Sequence, residues 1–74
     1  MAFRALHRSA QRAGAELMIA VDPEMHFLAV GGKVVAIPGC YNVSLFGVSE
    51  TSNYHLMDAI AQWVLAVQRR AGAA

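Results

Sequence analysis

The run His26-Phe27-Leu28-Ala29-Val30-Gly31-Gly32-Lys33-Val34-Val35-Ala36-Ile37 sets the frame that the rest of the chain must fit. A Gly-Gly pair supplies the positive φ angles of a two-residue hairpin turn, so the spacing predicts strands over 26–30 and 33–37. In that register Leu28 faces Val35 and His26 faces Ile37 on one side, while Phe27 faces Ala36 on the other. A hairpin with one solvated face alternates apolar with polar residues, and this one does not. Both faces need cover, and in so short a chain part of that cover is expected from another molecule.

Outward from the hairpin, Ile37-Pro38-Gly39-Cys40 places proline and glycine as a type II turn requires. Tyr41, Val43 and Leu45 then alternate with Asn42 and Ser44, the pattern of a half-exposed strand whose polar face suits an edge. Ser49-Glu50-Thr51-Ser52-Asn53 reads as a cluster of helix caps. Behind it Leu56, Met57, Ile60, Trp63, Val64 and Val67 repeat at helical spacing. A second row, Tyr54, Ala61 and Leu65, lies roughly 120° around that helix from its apolar face.

Before the hairpin, Phe3, Leu6, Ala10, Ala13 and Leu17 form a narrow helical stripe, with Arg4, Arg8 and Arg12 on the opposite side and Glu16 completing the row. The end of this first helix has two readings. It runs to about Ala20 and stops where Asp22 precedes Pro23, or Gly14 ends it and Leu17–Val21 becomes a strand. The expected fold is a single small α+β domain over 1–74: helix, three-stranded antiparallel meander (four-stranded if 17–21 is a strand), helix, with the helices packed on the sheet.

At 74 residues the chain sits near the lower limit for a self-sufficient core, yet 57% of it is hydrophobic and 15% charged. That surplus points to association, with a second copy of the chain as the expected partner. A net charge of +1 argues neither for a nucleic-acid protein nor for an acidic mimic of one, and a single cysteine leaves no disulfide framework or cysteine zinc site. No stretch is apolar for long enough to span a bilayer, and a cytoplasmic setting is expected. The basic segment before Glu16 superficially matches an organellar presequence, but its apolar pattern continues smoothly past residue 16 as a structural helix would.

The motifs of chemistry are weak. His7, His26 and His55 lack the i+3 or i+4 partners of a helical metal site, and Ser44, Ser49 and Ser52 lack a nucleophile elbow. No cofactor or metal is expected. The leading expectation is a non-enzymatic interaction or accessory module, acting as a homodimer. Its candidate contact residues are Tyr41, Val43 and Leu45 by strand addition, and Tyr54 and Leu65 on the last helix. An alternative is anion or nucleic-acid binding by Arg4, Arg8 and Arg12. Another is a small-ligand protein or enzyme with a pocket between subunits, lined by His26, Cys40, Tyr41 and His55.

Overall fold

In the computed structural model, which describes the backbone of residues 2–73 and the side chains of residues 8–70, the segment ahead of Gly31-Gly32 is a helix. The order of elements is α1 (Ala2–Ile19), α2 (Pro23–Ala29), β1 (Lys33–Ile37), β2 (Cys40–Leu45), β3 (Val48–Ser52) and α3 (Leu56–Ala73). The three strands form an antiparallel sheet in sequence order, so the mixed α+β meander between helices is present as expected. Its membership is shifted by one strand. The expected strand at 26–30 is α2, and the expected cap cluster at 49–53 contributes most of β3.

Local chemistry explains the first shift. Asp22 caps α2, its Oδ1 accepting from the Met25 N–H at 3.1 Å, and Pro23 occupies the first helical position, where its missing N–H costs nothing. At the other end the Gly32 N–H donates to the Phe27 carbonyl at 2.9 Å and the Gly31 N–H to the Leu28 carbonyl at 3.1 Å. This pair of bonds, with Gly31 at φ 100°, is a Schellman cap. A type I′ hairpin turn needs two positive φ angles in succession, and Gly32 does not have one. The type I′ pattern occurs instead at Phe46-Gly47, with φ of 51° and 76°, joining β2 to β3. Gly39 at φ 78° matches the type II turn expected at Pro38-Gly39.

The second shift changes which strand is the edge. With β3 paired along its other side, Tyr41–Leu45 belongs to the central strand, so both of its hydrogen-bonding edges are taken. Strand addition at this segment is therefore ruled out. The alternative strand at Leu17–Val21 is also absent, because α1 continues to Ile19.

α3 packs on β2 and β3, and α1 and α2 pack on α3. Ile60, Trp63 and Val67 are buried as the helical spacing predicts, together with Val43, Leu45 and Val48 from the sheet and Phe27 from α2. The Trp63 indole N–H reaches two carbonyls, Leu45 at 3.2 Å and Val48 at 3.1 Å. Phe27 meets the same indole edge-on, with ring centroids 5.6 Å apart. On α1, Ala10, Ala13, Gly14 and Leu17 are buried, and the absence of bulk at Gly14 brings the helix close to Trp63 and Val67. The side chains of Phe3 and Leu6, expected on this stripe, lie outside the described residues. All helices share one face of the sheet. The other face, bearing Val35, Ile37, Asn42, Ser44, Ser49 and Thr51, is uncovered.

Two glycine substitutions should move stability in opposite directions. A β-carbon on Gly14 would meet Val67 Cγ1 at 3.8 Å and Trp63 Cζ3 at 4.0 Å, which is ordinary contact. Gly14→Ala therefore gains helix propensity without collision and should stabilise by about 0.5–1 kcal/mol. A β-carbon on Gly32 would run into the Phe27 ring and its carbonyl oxygen. Gly32→Ala should cost about 1–3 kcal/mol. Urea denaturation of the two variants beside the parent checks both signs.

Candidate interaction surface

The corner where α1 turns into α2 exposes more large apolar side chains than any other part of the described chain. Met18, Ile19, Val21, Met25 and Leu28 are all exposed there, and Val21 is bare at 104% of its reference area. The cause is local. The inward stripe of α1 is narrow and largely alanine, so Met18 and Ile19 fall outside it once Leu17 has turned in. Along α2, Phe27 alone is fully buried, and a seven-residue helix that buries one side chain leaves Met25 and Leu28 to solvent.

Ala20, Val21, Asp22, Met25, His26, Leu28 and Ala29 line an open depression of about 640 Å³ at this elbow. Its polar groups are already engaged. Asp22 caps α2, and His26 Nε2 donates to Glu16 Oε1 at 3.2 Å, linking α2 to α1. That pair is partly exposed and contributes at most about 1 kcal/mol. A substrate pocket sets a few free polar groups in an apolar lining, whereas here the apolar wall is free and the polar groups serve the fold. The flexible Met25 gives the wall a surface that adapts to what it meets, while Met18 beside it accepts from Gln68 Nε2 at 3.1 Å through its sulfur.

The residues singled out in the sequence do not gather at one place. Val43 and Leu45 are buried beneath α3, and Tyr41 is half-buried on the same sheet face. Tyr54 is exposed but precedes α3, so it does not extend a helical row with Ala61 and Leu65. Leu65 is exposed in a shallow depression beside Gln62, Gln68 and Arg69. Arg8 and Arg12 are exposed on α1, and the side chains of Arg4 and His7 lie outside the described residues. Glu16, which the spacing offers to Arg12, turns to His26 instead.

The supposed pocket lining is equally dispersed. Cys40 and Tyr41 are adjacent in β2 and point to opposite sheet faces, while His26 is at the elbow. His55 caps α3, its Nδ1 accepting from the Asp58 N–H at 3.1 Å. Asp58 in turn accepts from Ser52 Oγ at 2.6 Å, and the same hydroxyl accepts from the Tyr54 N–H at 3.0 Å. That chain of bonds seats the helix start on β3, and its members are occupied by one another. No group of three or more His, Cys, Asp or Glu among the described residues is placed to hold a metal. No helix among them is long and apolar enough to cross a membrane.

The elbow is hidden in the sequence because the hairpin reading puts Leu28 in a strand over 26–30 and leaves Met25 between that strand and the turn at Asp22-Pro23-Glu24. The signal that would have found it is Asp22-Pro23-Glu24 as a helix start with Gly31 at its end. Comparison with protein-family models, curated proteins and solved structures finds no match to this chain.

The elbow depends on its cap. Asp22→Ala should lower stability by about 0.5–2 kcal/mol and raise amide exchange in α2, while Asp22→Asn should hold both near the parent. Hydrogen exchange followed residue by residue distinguishes loss of the cap from a uniform loss of stability.

Proposed function

We propose that this protein is a non-enzymatic interaction module that works as a homodimer, using apolar surface it cannot bury alone. The observation that carries the interaction reading is the elbow, where five of the ten large exposed apolar side chains among the described residues fall between positions 18 and 28. Isolated exposed leucines are ordinary, but a contiguous apolar patch rimmed by polar groups marks a protein contact. The uncovered sheet face adds Val35 and Ile37 to the apolar surface left in water. Two separate surfaces of this kind suit a module that joins its own copy and a further protein. The small size and the engaged polar groups of the elbow support binding over chemistry.

The test is solution mass by light scattering, across a concentration series at low and at high salt. A mass near twice the 7.9 kDa of the chain, retained at high salt, is the expected result. A mass of one chain at every concentration overturns the homodimer.

One observation favours a second reading. With Glu16 drawn to His26, neither Arg8 nor Arg12 forms an ion pair among the described residues, and both are exposed one helical turn apart. Such a row can meet successive phosphates or an acidic protein surface. Labelled duplex DNA and RNA, titrated from low to physiological salt, separates these from the apolar mode. Nucleic-acid binding through this row should weaken steeply with salt and fall further in Arg8→Gln/Arg12→Gln.

A further inference from the structure

We infer that the homodimer forms by antiparallel pairing of β1 with β1 of a second copy, joining two three-stranded sheets into one of six. The inference rests on the self-association proposed above and gives it a specific geometry. β1 is an edge strand whose one strand neighbour is β2, and no helix packs on it to any substantial extent. Four of its five residues are exposed, with Val35 at 56% and Ile37 at 59%. Folded domains protect such edges with charges inside the strand, a proline, a bulge or a covering helix. In β1 the charge is confined to the first residue, Lys33, and the four that follow, Val34-Val35-Ala36-Ile37, have none of these, with Pro38 just beyond the strand.

The opposite edge of the sheet is protected in the ways β1 is not. β3 carries Glu50 on the helix-facing side, and its outward residues are Ser49 and Thr51. Those hydroxyls are within 3.0–3.1 Å of Asn42 Nδ2, so the polar half of the uncovered face satisfies itself. One bare edge and one protected edge is the arrangement that lets pairing stop at two copies. A β1-to-β3 association would leave a bare edge at each step and grow into a filament.

The charges fit the antiparallel two-fold. With Val35 on the axis, Lys33 stands opposite Ile37 of the second copy and Val34 opposite Ala36, so no like charges face each other. A parallel pairing in register would set lysine against lysine. Along the joined outer face Val35, Ile37 and their two counterparts form one continuous apolar stripe, since all four share a side of the pleat. An edge of five residues is smaller than the ~1,600 Å² of a standard interface, so the concentration series should extend to about 1 mM.

Val35→Cys in a Cys40→Ser background tests the geometry directly. Residues facing each other across an antiparallel two-fold have Cα atoms about 4.5–5.5 Å apart, inside the disulfide range. Oxidation with copper–phenanthroline should convert this variant to a covalent dimer, and Thr51→Cys in the same background should remain monomeric on a denaturing gel. Val35→Lys places like charges on the axis and should raise the dimer dissociation constant at least tenfold. Met25→Lys, at the elbow, should leave that constant within twofold of the parent. A parent that dimerises while Val35→Lys dimerises equally well and Val35→Cys fails to cross-link overturns edge pairing and leaves the homodimer standing on another face. A parent that stays monomeric to 1 mM overturns both.

Discussion

The indole of Trp63 is the point to which the helices and the β2–β3 hairpin are referred. Its N–H reaches the carbonyls of Leu45 and Val48, the two residues that flank the Phe46-Gly47 turn. A single side chain from α3 therefore fixes the closed end of the β2–β3 hairpin, and the hairpin fixes the helix. Phe27 rests on the ring edge and brings α2 with it, while Gly14 admits α1 against the same indole. The buried side chains among the described residues form one cluster, with no second core to compensate. Deleting a fully buried tryptophan costs about 3–5 kcal/mol, a large share of the stability of about 5–15 kcal/mol that a folded domain has to lose.

That constraint also explains why the molecule has apolar surface to spare. The indole and its neighbours hold one face of the sheet, and Val35 and Ile37 point to the other face, where no helix packs. They stay in water for this reason, not through any polarity of their own. At the elbow the same economy applies. α1 approaches α3 through alanine and glycine, so it approaches closely but buries little, and Met18 and Ile19 are left on the outside. Most of the exposed large apolar side chains are thus distributed by geometry to two places, the elbow and the sheet edge, with Tyr54, Met57 and Leu65 left at or on α3.

The two helices and the central strand were legible because their patterns are periodic and long. Ile60, Trp63, Val64 and Val67 repeat over two turns, and Tyr41–Leu45 alternates cleanly. The misread segments are those where backbone bonding, not side-chain pattern, sets the structure. Gly31-Gly32 satisfies a helix cap as readily as a hairpin turn, and only the hydrogen bonds to Phe27 and Leu28 decide between them. Asp22-Pro23-Glu24 already carried the start of a helix, but a seven-residue helix shows no full period by which to recognise it. β3 was missed because its inward positions hold Glu50 and Ser52 in place of aliphatic residues, with Ser52 satisfied by Asp58 from the next element. Losing β3 turned the central strand into an apparent edge, and Val43 and Leu45 followed as contact residues. The principle that some apolar surface stays uncovered was readable, while the residues that form it depended on strand membership.

Because Trp63 is the chain's one tryptophan and is wholly shielded from water, its emission is a local gauge of the joint between α3 and the hairpin. Light absorbed there reports on the site where the four packed elements meet, with no label attached and no second indole to dilute the signal. Neither the elbow residues nor Val35 is part of that joint, so changes made at either surface can be followed optically against a fixed internal standard of foldedness.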